Sequence, residues 1–321
     1  MGALLLRPTF AWLEITGLCN LSCRHCYAGS SPQGTHGDMT YADWVRVLDE
    51  LKAMAVRNVQ FIGGEPTLHP ALPELIRHAR ARGILVEIFS NLTHVKPAVW
   101  EALRLPGVRL AFSYYSDEAE DHDEITQARG SHGTTRANVE KARAYGIPTR
   151  GSVIGVLEKQ RDTEARADLL QLGVRDVRTD RIRPFGRGAD GSDPRIHRLC
   201  GMCGRGKFAV SPDGDVWPCV FSRWMTVGNV HERPLEQIFS GVAMRAARAE
   251  LETVFPDTAT SDRPTCLPEC NPSFETCAPQ TVCAPDAACT PTSDGGLLNR
   301  PLPSPHQSVR YHNPGVSGTR C

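Results

Sequence analysis

Over about its first 180 residues the chain switches repeatedly between two hydrophobic periods, and this alternation limits the fold more tightly than any other feature. Phe10 to Thr16 reads as a strand. Thr40 to Val56 reads as a helix, with Trp44, Val47, Leu48, Leu51 and Ala55 at helical spacing and Thr40 with Asp43 as its N-terminal cap. Asn58 to Ile62 is a short apolar strand, Pro73 to Ala81 a helix ended by Gly83, and Ile84 to Phe89 a strand. Val108 to Ser113 is the next strand, and Thr135 to Tyr145 is a helix ended by Gly146. Thr149 to Val156 and Val174 to Asp180 are the last two strands, with a helix between them. Each unit is close to the ~30 residues of a strand–helix–strand repeat, so the expected sheet is parallel. Periodicity alone leaves two architectures open, an open doubly wound sheet and a partial barrel.

Both architectures collect ligands at the carboxyl ends of their strands. The chemically unusual residues of this chain sit there. A cysteine loop follows the first strand and Gly63-Gly64-Glu65-Pro66 follows the second. Ser90-Asn91 follows the third, Ser113 ends the fourth, Glu158 follows the fifth, and Asp180-Arg181 ends the sixth.

The 321 residues are enough for two domains. Lys plus Arg is 36 and Asp plus Glu is 36, so the formal net charge is zero. That balance argues against a broad electrostatic grip on nucleic acid or on an anionic membrane. No apolar run reaches the ~18 residues of a membrane span. The start of the chain lacks the basic residues and cleavage site of a signal peptide. A cytoplasmic protein is expected, and there twelve cysteines point to metal or redox chemistry rather than to disulfides.

Cys19, Cys23 and Cys26 stand together, and the other nine cysteines begin at Cys200. The Gly-, Pro- and Asp-rich stretch from Ile182 to Pro194 reads as the linker between two domains. The spacing C-x3-C-x2-C puts three thiolates on one loop. Such close spacing suits an iron–sulfur cluster. Three protein ligands leave one iron of a cubane open, and an open metal position is where substrate chemistry occurs. A structural zinc site remains the alternative, although His25 lies awkwardly between Cys23 and Cys26 for a fourth ligand.

The run Cys19-x3-Cys23-x-His25-Cys26 after the first strand, followed by Gly63-Gly64-Glu65-Pro66 after the second, resembles the radical S-adenosylmethionine (SAM) enzymes, with His25 in the usual aromatic place. The resemblance covers about residues 10 to 183 and implies a partial (β/α)6 barrel. It implies that the amine and carboxylate of SAM chelate the open iron, and that one electron from the cluster splits the sulfonium to a 5′-deoxyadenosyl radical. It also places Gly63, Gly64 and Glu65 at the SAM ammonium, Ser113 at the ribose or methionine part, the Tyr27 backbone at adenine and Arg129 at the SAM carboxylate.

In the second half, Ser211-Pro212-Asp213-Gly214 is a turn signal, and Asp215 to Cys219 can return as a strand. A hairpin there brings Cys219 back beside Cys203, near Cys200. The pattern C-x10-G-x4-C is similar to the SPASM or twitch extension of radical SAM enzymes, which holds one or two auxiliary [4Fe–4S] clusters. Zinc again stays open. Cys266, Cys270, Cys277, Cys283 and Cys289 are each followed two positions later by proline, which keeps the backbone extended. They are candidate ligands for the remaining auxiliary positions, and which one serves which cluster is open. The expected organisation is a barrel over 1–183, an auxiliary iron–sulfur domain over 184–292 and an unstructured tail over 293–321.

The resemblance leads to two groups of reaction. One is the maturation of a ribosomally made peptide by thioether, carbon–carbon or epimerising chemistry. The other is dehydrogenation or epimerisation of a small natural product such as an aminoglycoside. Only eighteen residues precede Cys19, so no peptide-binding domain is expected to be fused there, which counts against the peptide reading and leaves a separate peptide-binding protein open. Either enzyme needs a one-electron reductant such as a flavodoxin or ferredoxin. Some sulfatase-maturing members carry Asp after the cysteine that matches Cys219; Val220 here argues against that activity. Tyr115, Glu158, Asp180 and Arg181 are candidates for a base or hydrogen donor. A third reading is a non-catalytic electron-transfer or zinc module, against which the open-iron spacing counts.

Overall fold

The computed structural model describes residues 7–189 and 191–256. Six strands and their helices follow one another in chain order. They are β1 (Phe10–Thr16), α1 (Tyr41–Ala53), β2 (Asn58–Gly63), α2 (Leu72–Ala81), β3 (Leu85–Ser90), α3 (Pro97–Leu103) and β4 (Val108–Tyr114). Next come α4 (Ala119–Thr126), α5 (Ser131–Ala144), β5 (Thr149–Gly155), α6 (Asp162–Gln171) and β6 (Asp176–Arg181). The expected elements are all present. The helices α3 and α4 are additional, and both are hard to read: α3 has seven residues, and α4 is nearly all polar. Thr40 and Asp43 cap α1 reciprocally, as its sequence predicts.

All six strands are parallel and lie in sequential order, β6-β5-β4-β3-β2-β1. Sequential order decides between the two architectures. A doubly wound sheet reverses its order at a switch point. Here it never reverses, and right-handed crossovers then put every helix on one face. That is the arrangement of a partial (β/α)6 barrel. The outer face packs Leu13, Ile15, Phe61, Ile88, Leu110 and Phe112 against Trp44, Leu48, Ile76, Val139 and Leu169 of the helices.

Strand alternation turns the intervening residues to the other face. That face is unusually polar. It carries Glu14, Gln60, Glu87, Arg109, Arg150 and Asp176, of which the first three and Arg150 are almost wholly buried. Glu87 accepts from Gln60 at 2.5 Å and from Arg150 Nη2 at 2.8 Å, and its other oxygen pairs with Arg109 Nε at 3.1 Å. Arg109, Arg150 and Asp176 lie at the amino ends of their strands, Gln60 and Glu87 at mid-strand, and Glu14 nearer the carboxyl end of β1.

The sheet continues on the other side of β1. The strands β7 (Lys207–Val210), β8 (Asp215–Trp217) and β9 (Gly228–Asn229) complete nine, with α7 (Leu235–Phe239) and α8 (Val242–Val254) following. β7 pairs parallel with β1, from Phe10 with Lys207 to Leu13 with Val210. β8 returns antiparallel, which is the expected hairpin. The cysteine-rich segment therefore extends the barrel sheet instead of standing apart from it. β1, flanked on both edges, is buried along its whole length. Among the described residues no helix is long and apolar enough to cross a membrane.

The stretch from Ile182 onward corrects one expectation. It is not a free linker: Phe185, Ala189 and Leu199 are buried, and residues 186–188 pack against the cysteine loop. Gly186 and Gly188 are used there for close approach.

Candidate active site

Leaving β1, the chain makes a loop whose first thiol is tied to two other strand exits. Cys19 Sγ accepts from the Leu21 amide at 3.4 Å and from Asn91 Nδ2, past the end of β3, at 3.7 Å. The Glu65 amide, past the end of β2, donates to the Leu18 carbonyl at 2.8 Å, and the Gly64 amide donates to Thr16 at 2.7 Å. The Gly64 and Glu65 amides are thus spent on holding the cysteine loop. A Cβ on Gly64 would lie 2.1 Å from the Leu18 carbonyl oxygen. The glycine is required because the two loops touch.

Glu65 also differs from its expected part. Its carboxylate is wholly buried and accepts from the Thr67 amide and hydroxyl, from Ser90 Oγ and from the Asn91 amide. Burial raises its pKa even so. A carboxylate used four times by the protein shapes the turn and has little left for a ligand. Asn91, which the sequence places after the third strand without assigning it a role, joins this turn to Cys19. Its position at a strand's carboxyl end was the available signal.

The other expected residues fall into two sets. Ser113 hydrogen-bonds the hydroxyl of Tyr115, which is buried beside the three thiols. The Tyr115 ring meets His25 edge-on at 5.0 Å and His122 at 5.2 Å. Burial and the neighbouring thiols push the Tyr115 pKa well up, so it stays protonated. Tyr27 packs against Phe221 at 5.0 Å, near the buried carboxylate of Glu14. Arg129, Glu158 and Arg181 are exposed. Asp180 is paired with Arg183 at 2.8 Å. Of the four candidate bases or donors, the structure brings only Tyr115 beside the cysteine loop.

Cys19, Cys23 and Cys26 are free thiols. Burial and one another's charge push the Cys19 and Cys23 pKa values up to about 12. Bare thiolates crowded together in a partly dry loop are unfavourable, and bound iron removes that penalty because a coordinating thiol is deprotonated outright. The donor set, all thiol and all on one loop, fits an iron–sulfur cluster.

A second thiol group forms on the hairpin. Cys203 is in hydrogen-bond contact with both Cys200 and Cys219. The Gly204 amide closes the ends by donating to Pro218 at 2.8 Å, and the Phe221 amide donates to Cys219 Sγ at 3.4 Å. Phe10, Trp12, Trp217 and Phe221 enclose this trio. It fits a cluster on the same grounds. The remaining candidates, Cys266, Cys270, Cys277, Cys283 and Cys289, lie outside the described residues.

Glu14 and Arg223 form an ion pair between the two thiol groups, which sequence reasoning did not find. Arg223 also stacks over Trp217, 4.4 Å from the ring centre. Nothing in the local sequence links residues so far apart.

The sequence pattern of the Radical SAM superfamily matches residues 13–171, and that of the SPASM iron–sulfur cluster-binding domain matches residues 200–277. An AdoMet-dependent heme synthase of Methanosarcina barkeri is 32% identical over 139 residues, 43% of this chain and 40% of that protein. The antilisterial bacteriocin subtilosin biosynthesis protein AlbA of Bacillus subtilis is 25% identical over 269 residues, 73% of this chain and 60% of that protein. The matched regions thus span about half the length of these relatives. The crystal structure of Streptococcus suis SuiB bound to precursor peptide SuiA superposes with a TM-score of 0.64 at 15% identity, over 75% of this chain and 67% of that one. This likeness is one of fold.

Proposed function

The chain is a radical SAM enzyme with a SPASM iron–sulfur domain, and from that premise we propose that it matures a ribosomally synthesised peptide by abstracting a hydrogen atom from it. Its cofactors are SAM and a [4Fe–4S] cluster, with auxiliary iron–sulfur binding in the SPASM domain; together SAM and the first cluster supply a 5′-deoxyadenosyl radical. We assign the first cluster to Cys19, Cys23 and Cys26, and an auxiliary cluster to Cys200, Cys203 and Cys219.

One observation carries the assignment of the site. The exits of β2 and β3 converge on the cysteine loop that leaves β1, through Gly64 and Glu65 on one and Asn91 on the other, and Tyr115 past β4 stands beside His25. In this reading the carbonyls of Gly63 and Gly64 take the SAM ammonium. Ser113 takes the ribose or methionine part, and the Tyr27 backbone borders adenine. Glu65 holds the turn, and Tyr115 walls the cavity and excludes water. A separate one-electron reductant, flavodoxin or ferredoxin in type, feeds the site.

The peptide reading is supported by a relative named for the biosynthesis of a bacteriocin, which aligns over most of this chain. The relative named as a heme synthase favours a second reading, oxidation or epimerisation of a small molecule. The test is anaerobic. The reconstituted protein is given dithionite and SAM, and 5′-deoxyadenosine is measured with and without candidate precursor peptides. The peptide reading expects deuterium to pass from a labelled peptide into 5′-deoxyadenosine. Product formation with no transfer from any peptide encoded beside the enzyme returns the assignment to small molecules. Absence of product, with zinc in place of iron, rejects both.

A further inference from the structure

The segment after β6, which in sequence resembles a linker, makes the most specific contacts with the cysteine loop. Arg187 spans that loop. Its Nε donates to the Cys23 carbonyl at 2.8 Å, and its Nη2 donates to the Ser30 carbonyl at 2.8 Å. Its own amide donates to the Cys26 carbonyl at 3.0 Å. Gly186, at φ +54°, makes this approach possible, because a Cβ there would lie 2.3 Å from the Tyr27 carbonyl oxygen and 2.5 Å from that of Cys26. Three donors from one residue therefore cross two of the three proposed ligand positions and reach the far end of the loop.

We propose that Arg187 is a positioning residue of the radical SAM site: it latches the cysteine loop in one arrangement and fixes a positive charge beside it, which favours the reduced, more negative form of the bound cluster. The proposal rests on the assignment of the first cluster to Cys19, Cys23 and Cys26. A guanidinium suits the task because its planar fork reaches two carbonyls at once and keeps its charge at any working pH. The Cys23 and Cys26 carbonyls each accept one amide from within the loop, from Cys26 at 3.3 Å and from Gly29 at 3.2 Å, and Arg187 adds the donors that tie these turns to the segment after β6.

The test uses the full chain as wild type, Arg187→Gln and Arg187→Lys. Amide hydrogen exchange before iron loading reads the latch. Residues 18–31 are expected to exchange about tenfold faster or more in Arg187→Gln, the effect of losing one charge-assisted hydrogen bond, with β2 to β4 unchanged. Unaltered exchange in the loop overturns the latch. A potentiometric titration of the reconstituted proteins reads the charge, following the paramagnetic signal that changes when SAM is added. Its midpoint is expected to fall in Arg187→Gln and to return toward wild type in Arg187→Lys. Equal midpoints in all three overturn the electrostatic part. Should Arg187→Gln fail to load iron, Arg187→Met stands in as the neutral variant: a midpoint below those of wild type and Arg187→Lys supports the charge effect, and one equal to theirs overturns it. Persistence of the SAM-responsive signal in Cys23→Ala would refute the cluster assignment itself, while the exchange result would still stand for the loop.

Discussion

Replacing Glu87 by Gln tests how the polar inner face of the barrel is held together. The substitution keeps the shape and removes the charge. Glu87 is 1% exposed, Arg150 is 2% and Arg109 is 11%. Arg109 keeps Asp176 as a second partner. Arg150 loses its ionic partner and one of its two contacts to the carboxylate, made from Nε at 3.2 Å and Nη2 at 2.8 Å, because the amide of Gln keeps a single acceptor oxygen. Removing one member of a buried ion pair costs about 3–5 kcal/mol, because the surviving charge stays desolvated. With a guanidinium chloride slope near 4 kcal/mol/M, the unfolding midpoint should fall by about 1 M. The pH dependence gives a sharper check. Arg150 and Arg109 hold the Glu87 carboxyl below its ordinary value of 4.5 despite burial. Its contribution is therefore complete above that value and is lost as pH falls through the lowered one. The gap between wild type and Glu87→Gln should be constant from about pH 8 to pH 5 and should narrow below pH 4.5 as the wild-type carboxyl takes up a proton. A midpoint unchanged at pH 7 would refute the reasoning, and so would a gap that widens in acid.

Three further outcomes are expected. Gly64→Ala places a methyl 2.1 Å from the Leu18 carbonyl, so it should leave the circular dichroism spectrum intact and weaken SAM binding at least tenfold, about 1.4 kcal/mol, measured by equilibrium binding to the iron-loaded protein. Cys203→Ala should remove about four irons per chain by chemical assay and leave substrate-free formation of 5′-deoxyadenosine measurable; unchanged iron would reject the hairpin site. Arg223→Met strands the buried Glu14 carboxylate and should cost about 3 kcal/mol in denaturant unfolding, of which Glu14→Gln in the same chain should restore part; two purely additive losses would show that the pair is not coupled.

The strands and the long helices were legible because each buries one face and so repeats its apolar residues at a fixed period. The cysteine loop was legible because metal ligands on one loop are close in sequence as well as in space. What stayed hidden depends on contacts between distant segments. Glu65 reads as a ligand group beside two glycines, yet its oxygens are taken by Thr67, Ser90 and Asn91. Gly186 and Gly188 carry the composition of a linker, and only the neighbouring Tyr27, Cys26 and Arg183 carbonyls reveal why side chains are excluded. Exposure separates Glu158 and Arg181 from Tyr115, and strand alternation alone does not settle burial at the ragged end of an edge strand such as β6.

β1 has a second consequence through its register. Its carboxyl end leads into the Cys19 loop and aligns Thr16 with Gly63. Its amino end aligns Phe10 with Lys207, four residues after Cys203, and Cys219 lies two residues beyond the Trp217 that pairs with Ala209. Both thiol groups are therefore indexed to one buried strand, at opposite ends of its seven residues. At about 3.3 Å per residue the two ends are roughly 20 Å apart along the strand. A slip of one residue would turn Trp12 and Glu14 to the helix side and Leu13 and Ile15 to the polar side, so the register is strongly fixed. Glu14 sits between the two ends and, through Arg223, joins β1 to the segment that follows Cys219. The Arg223→Met variant thus loosens the connection between two sites that the sheet otherwise holds at a set separation. It should lower stability without changing how much iron either site takes, and loss of iron from the hairpin alone would show instead that Arg223 serves that site directly.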